Sequence, residues 1–236
     1  MGQGFLNNVK LSTVPGGLTK GAIVQAALDL LDETGMDGLT VRALAARLGV
    51  QAPALYWHVR NKQALLDEMA TEIWRRIGDV MAGLPHDLPW REVMATYAVT
   101  VRSELLGHRD GAKAFSGTTL TDPDVIRGQE GTFENLVRQG FTIDDGTRGL
   151  VMIHYFTIGF CVEEQAVVQV TASGDDIYSR RAELIGAEQA PLVVEAGDVL
   201  FGDADTRFAD LLDLLLETIA RLRKQERAKG ARRRLD

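Results

Sequence analysis

The chain has 236 residues, with 26 Lys and Arg against 33 Asp and Glu, a net charge of −7 at pH 7 and a hydrophobic fraction of 45%. That length supports one small domain plus a larger one with its own core, and no uninterrupted apolar run reaches the roughly 18 residues a membrane helix needs. A single cysteine, Cys161, excludes an internal disulfide and any multi-cysteine zinc site within one chain.

The amino terminus, MGQGFLNNVKLSTVPGG, lacks a basic region followed by an apolar stretch, so it does not read as a signal peptide. Leu6 breaks the myristoylation motif that Gly2 would begin. We expect a flexible extension over residues 1–17 of a soluble cytoplasmic protein. The segment LTKGAIVQAALDLLDETGMDGLT then predicts a helix capped by Thr19, with Ile23, Ala26, Ala27, Leu30 and Leu31 on one face and Gly35 as its stop. A second helix starts at Thr40 and carries Val41, Leu44, Ala45 and Leu48 at helical spacing until Gly49. Val50 pins the turn. Gln51-Ala52-Pro53-Ala54 opens a third helix, because proline is tolerated in a first turn whose N–H groups have no intrahelical partner. Leu55 and Val59 form its inward face, and Trp57 is expected to pack between it and the following helix.

Two short helices joined by a Gly-Val turn form a helix-turn-helix, although any helical hairpin with a glycine turn has this spacing. Gln51, Tyr56, His58, Arg60 and Lys62 are residue types that hydrogen-bond base edges or phosphates. The helix upstream converts the pair into a small DNA-binding domain.

Asn61 caps a long helix through LLDEMATEIWRRIGDVMAG, which Pro85 and Pro89 terminate. PWREVMATYAVTVRSELLGH predicts a helix with Val93, Met94, Tyr97, Val101 and Leu105 as its apolar stripe, followed by a short helix at RDGAKAF. DPDVIRGQEGTFENLVRQG reads as one helix, capped by Asp122 and stopped by Gly140. The next segment runs from Asp144 to about Gln169, and within it GLVMIHYFTIGFCVEEQAVV is apolar almost all the way round, so this helix must be covered on more than one side. A variable connection with one short helix at 177–185 leads to the last helix, whose Phe208, Leu211, Leu212, Leu215, Ile219 and Leu222 share a face. These two apolar helices fit either an intermolecular four-helix bundle or an intrachain core.

LTKGAIVQAALDLLDETGMDGLTVRALAARLGVQAPALYWHVRNKQALLDEMA resembles the DNA-binding domain of the TetR family of repressors. LYWHV followed by NK and ALLD, with HRDGAKAF and FTIGFCVEEQ further on, is similar to the tetracycline-repressor branch in particular. The resemblance implies an all-α homodimer with a three-helix helix-turn-helix domain at residues 18–64. A larger helical ligand-binding and dimerisation domain would span residues 65–226, ahead of a basic tail at 227–236. It implies release from a palindromic operator when a small molecule enters the larger domain. The alternative is a ligand-independent DNA-binding regulator whose carboxy-terminal domain serves only dimerisation.

By the same resemblance Arg42 reaches a guanine edge, Tyr56 and His58 face the groove, and Lys62 holds a phosphate. Gln51 stands where helix amino-terminal residues approach bases, next to Ala52 and Pro53. Ala52 and Ala54 replace polar base readers, so the operator should differ from the tetracycline operator. The net charge is mildly positive over residues 1–62 and strongly negative over 63–220, consistent with phosphate contact at one end. The basic tail fits a solvated helix end or a DNA contact.

Tetracycline repressors hold their drug as a magnesium chelate. Here the metal-ligating histidine position carries Phe115, although Thr118 remains, and Gly78 replaces a drug-binding residue of the linker helix. Val101 replaces a phenylalanine, Gly131 falls near a lost amide, and Glu163 matches an acid supplied by the partner chain. One retained acid is not a magnesium site, so neither metal nor cofactor is expected. The cluster Trp74, Ile77, Tyr97, Val101, Phe115, Thr118, Val151, His154 and Tyr155 suggests a mostly apolar pocket for a polycyclic or aromatic inducer, such as an antibiotic or polyketide. His154 fits a ligand-facing donor or a satisfied core histidine equally well. No enzyme is expected: Cys161 and His154, seven residues apart on one helix, are separated by about 10 Å along its axis. The adjacent Glu163 and Glu164 diverge, and no glycine-rich phosphate loop occurs.

Overall fold

The computed structural model of the chain describes residues 18–172, 184–186 and 188–232, which contain helices and no strand. The expected amino-terminal extension and most of the short helix at 177–185 lie outside the described residues.

Helix α1 (Lys20–Gly38) begins at Thr19, whose hydroxyl accepts the Ala22 N–H at 3.2 Å. Thr40 caps α2 (Val41–Arg47) in the same way, accepting from Ala43 at 3.1 Å. Gly49, at φ +67°, turns the chain, and Val50 N–H then donates back to the Ala45 carbonyl. The short α3 (Ala52–Tyr56) follows with Pro53 in its first turn. Ile23, Leu28, Leu31, Leu44, Leu55 and Val59 close one core between the three helices.

Asn61 Oδ1 accepts the Ala64 N–H at 2.8 Å and starts α4 (Lys62–Ala82), a helix of 21 residues. At 1.5 Å per residue it runs for roughly 30 Å, long enough to belong to both ends of the molecule. Its buried Leu65, Met69, Ile73 and Ile77 extend the first core to Val101 and Leu105 of α5 (Trp90–Leu106) and to Phe115 of α6 (Gly111–Phe115). The hydrophobic interior therefore passes without a break across the expected boundary at residue 65.

The single helix expected at 123–140 is two, α7 (Pro123–Arg127) and α8 (Glu130–Arg138), broken at Gly128 and Gln129. The long apolar segment forms α9 (Ile143–Ala172), which packs along α5. After it come α10 (Pro191–Leu200), which sequence reading missed, and α11 (Ala204–Arg232). Residues 227–232 of the expected tail are thus helical. A second core joins Trp90, Met94, Leu136, Phe141, Ile153 and Ile219. Beside it Arg102 forms a two-pronged pair with Glu164, at 2.9 and 2.6 Å, and a 2.7 Å pair with Asp205, binding α5 to α9 and α11. The expected single face of α11 divides in two: Phe208, Leu212, Leu216 and Ile219 are buried, whereas Leu211 and Leu214 are exposed.

The carboxy-terminal end of α1 is clamped rather than simply stopped. Gly35 takes φ +69° and bends the helix, which resumes for one turn. A Cβ at this position would lie 2.8 Å from Asp110 Oδ2. Asp110, itself left-handed at φ +57° between α5 and α6, accepts the Met36 N–H at 3.0 Å and the Gln169 amide at 2.7 Å. Asp32 accepts the Arg109 N–H at 3.1 Å and meets His108 Nδ1 at 3.0 Å, while the Arg109 guanidinium donates to the Glu33 carbonyl at 3.1 Å.

Replacing Gly35 by Ala adds both left-handed strain and a collision with Asp110, so urea denaturation should show a loss of about 1–3 kcal/mol. Burial raises the Asp110 carboxyl, but the Met36 N–H, the Gln169 amide, and the charges of Lys113 and Arg109 outweigh it and hold the group below the ordinary carboxylate range. A lowered folded pKa gives stabilisation that is present above the unfolded value, about 4, and lost as pH falls through the folded one. Urea midpoints should therefore drop in acid below about pH 4. Asp110→Asn tolerates the left-handed backbone, and it should flatten that part of the profile.

Candidate nucleic-acid interface and ligand cavity

The outer face of the helix-turn-helix presents polar and aromatic side chains that the other described residues leave exposed. Arg47 is drawn back onto α1 by Glu33 at 2.7 Å, whereas Arg42, five residues earlier, is exposed and has no ion pair among the described residues. Gln51 occupies the capping position of α3 without using its side chain as a cap, so its amide is free at the helix start. Pro53, Tyr56, His58 and Arg60 are exposed and Ala52 is half-buried, all around the same short helix.

Two expectations change here. Trp57 is 90% exposed instead of packed between helices. Leu55 and Val59 already fill the inward face of α3, and the two-residue step from Leu55 turns Trp57 to the far side. Sequence reading therefore missed a large aromatic surface beside Tyr56, because the residue type suggested burial. Lys62 is half-buried, and its Nζ donates to the Met36 carbonyl at 2.5 Å, tying the start of α4 to the end of α1. In this conformation its ammonium serves that junction.

A cavity of about 400 Å³ opens between α4, α5, α6, α8 and α9. Of the expected lining residues, Trp74, Ile77, Gly78, Tyr97, Phe115, Thr118, Val151 and His154 are brought together there. Gly78 leaves open space where a side chain would stand. Trp74 and His154 rings lie 5.2 Å apart, and the Tyr97 hydroxyl is 3.0 Å from His154 Nδ1. Thr118 Oγ1 donates to the Phe115 carbonyl at 2.8 Å, which fixes the turn after α6.

Three expected residues fall elsewhere. Val101 is fully buried against the α4–α6 side of α5, so it supports the wall without touching the space. Tyr155 follows His154 by one residue, a rotation of about 100°, and points outward at 70% exposure. Glu163 is also exposed, away from the cavity of its own chain. In place of Gly131 the wall holds Gln129, Thr132 and Phe133. These were missed because the break between α7 and α8, invisible in the periodicity, resets which residues turn inward.

Donor atoms on the lining are hydroxyls, an amide and one imidazole, with no carboxylate among the described residues. Magnesium prefers several oxygen ligands, usually including a carboxylate, and Phe115 offers it none, so the residues present do not fit the ion. The wall instead suits contact with an aromatic body.

Phe115 stands edge-on to His108 at 5.8 Å, and His108 meets Asp32 of α1. Trp74 and Ile77 belong to α4, which begins at the Lys62 contact. The cavity wall and the helix-turn-helix thus share both α4 and the clamp on α1.

Residues 23–69 match the family described as bacterial regulatory proteins, tetR family, and residues 83–223 match the tetracyclin repressor-like C-terminal domain. Tetracycline repressor protein class A from transposon 1721 of Escherichia coli is 37% identical over 215 residues, covering 87% of this chain and 92% of that protein. A possible TetR family transcriptional regulator from Streptomyces coelicolor A3(2) matches in structure with a TM-score of 0.76 and 36% identity, over 86% of this chain and 100% of that chain. A TetR variant from Acinetobacter baumannii AYE in complex with minocycline matches with a TM-score of 0.69 and 32% identity, over 88% and 99% of the two chains. With its helix-turn-helix on a clamped α1 and a cavity walled by α4 and α6, the chain belongs to the tetracycline-repressor-like branch of the TetR family of bacterial transcriptional regulators.

Proposed function

We propose that the chain is a repressor that grips a palindromic operator as a homodimer and lets go when a polycyclic aromatic molecule enters the α4–α6 cavity. The observation that carries this reading is the position of that cavity: its wall is made from the helices that also hold the helix-turn-helix. Its volume is in the range of small-molecule sites, and its lining is mostly apolar with a few polar handles. Minocycline, held by the A. baumannii relative, is a four-ring compound of this general shape.

A second copy supplies the dimer. Tyr155 and Val151 of α9 and Leu211 and Leu214 of α11 are exposed apolar side chains that the described residues of the chain leave uncovered. Two helices from each copy would bury them as a four-helix bundle and set the separation of the two α3 helices. Glu163, on the same outward side of α9, would then face the other copy.

The transmission follows from contacts. A ligand pressing on Phe115 displaces His108 and thereby Asp32, and one pressing on Trp74 tilts α4. Either movement reaches the end of α1, so the pair of recognition helices loses the spacing of successive major grooves. Base reading rests on Arg42, whose planar fork matches the O6 and N7 acceptors of guanine, and on Gln51, with Tyr56, Trp57 and His58 available to the backbone or groove. Ala52 and Ala54 can meet a thymine methyl but not a purine edge.

Footprinting of promoters next to the gene should reveal a palindrome, and polycyclic compounds that raise the melting temperature should release that duplex in a gel-shift assay. Asp32→Asn should bind the same compounds yet release the duplex less readily. Failure of every polycyclic compound to stabilise the protein, or a monomer at micromolar concentration in sedimentation, would reject the reading. Arg42→Ala should cost about 1–3 kcal/mol of discrimination at one base position. In titrations this appears as a larger loss on the operator than on random DNA, and equal losses would sink the base-reading role.

A further inference from the structure

The cavity lining carries no formal charge. None of its described lining residues is Asp, Glu, Lys or Arg. Burial pushes the His154 imidazole below its ordinary pKa and the Tyr97 phenol far above its own, so both groups are neutral around pH 7. The Tyr97 hydroxyl is 3.0 Å from His154 Nδ1, and its single proton has no other acceptor among the described residues. In the tautomer that accepts this proton at Nδ1, the ring carries its own proton on Nε2. Nε2 has no protein partner among the described residues, yet it is not sealed among protein atoms, and His154 stands in the cavity wall. Trp74, at 5.2 Å from the imidazole, closes one side of the same space.

Building on the reading of a polycyclic inducer, we infer that the cavity selects a neutral ring system bearing a quinone or ketone oxygen, which accepts the Nε2 proton of His154, and rejects the same skeleton carrying a carboxylate. The discrimination is one of desolvation. A carbonyl loses little on leaving water when a donor awaits it, whereas a carboxylate needs an opposite charge to offset its lost hydration, and the wall offers only neutral N–H and O–H donors. Tyr97 acts as a positioning residue, since its proton holds the imidazole in the donating tautomer. Gln129, exposed at the rim, adds an amide that reads polar substituents without favouring either sign of charge.

The test is calorimetric titration of the dimeric protein at pH 7.5 with anthraquinone-2-carboxamide and anthraquinone-2-carboxylate, which share rings and nearly share size. The amide should bind about 100-fold more tightly than the acid, the magnitude that burying an unpaired charge implies. His154→Leu should weaken amide binding about tenfold, as expected for one lost hydrogen bond, with its folded state checked by circular dichroism and melting. His154→Gln, which keeps a donor, should retain more affinity than His154→Leu. Tyr97→Phe should weaken amide binding less than His154→Leu and narrow the preference for amide over acid. Equal binding of the two compounds, or tighter binding of the acid, overturns the inference and leaves the polycyclic reading intact. Unchanged amide affinity in a folded His154→Leu protein overturns the role of His154. Binding of neither compound overturns this inference, and the polycyclic reading falls with it when every other polycyclic compound also fails to stabilise the protein.

Discussion

The left-handed turn at Gly35 and the carboxylate of Asp110 that fills the space beside it are the constraint on which the molecule depends. A helix of this length would ordinarily end in solvent, with free carbonyls. Here its last turn is bent onto the body and caught by three consecutive residues, His108, Arg109 and Asp110, while Lys62 takes the Met36 carbonyl. The helix-turn-helix has little area of its own to hold it in place. Its orientation is set by this polar clamp together with the apolar seam along α4.

Such a junction is well suited to conveying a small displacement. The clamp consists of short, directional contacts, and interiors packed at crystalline density shift between discrete arrangements more readily than they deform. Gln165 ties the clamp to α9 by donating to the Leu105 and His108 carbonyls and accepting the Ala112 N–H. The α5–α6 turn is therefore held from two sides, and in the proposed mechanism it is the place where a ligand-driven shift of Phe115 must go. The Arg102 pairs with Glu164 and Asp205 lie beyond this turn and bind α5 to α9 and α11 in the opposite part of the body.

The cavity takes its chemistry from a few side chains on α4, α5, α6 and α9. An aromatic side chain at position 115 gives the wall an apolar surface, and glycine at 78 opens room on α4. The polar atoms that remain are neutral and few, and the strongest of them are coupled to each other in the Tyr97–His154 pair. Charge is placed elsewhere in the molecule, in an acidic body and at a mildly basic amino-terminal end. That arrangement favours approach of DNA from one direction.

Helix starts at Thr19, Thr40, Asn61 and Asp122 were legible in the sequence because a cap is a bond between residues two or three apart, formed by the local chain alone. The helix-turn-helix and the apolar character of α9 were legible for the same reason, since both are patterns repeated along the chain. The direction in which Val101, Tyr155, Trp57 and Leu211 face was decided by tertiary structure. A helix position is inward or outward depending on which neighbour it meets, and the crossings of α5 with α4 and of α9 with α11 set those neighbours. Gln129 reached the cavity because of a break between α7 and α8, and α10 was missed because its apolar residues are mostly exposed within the chain. The sequence by itself determined most of the helices, the caps at Thr19, Thr40, Asn61 and Asp122, and the family to which they belong. The clamp at Gly35 and the uncharged cavity depend on contacts between residues such as 36 and 110 or 97 and 154, too far apart in the chain for any periodicity to announce.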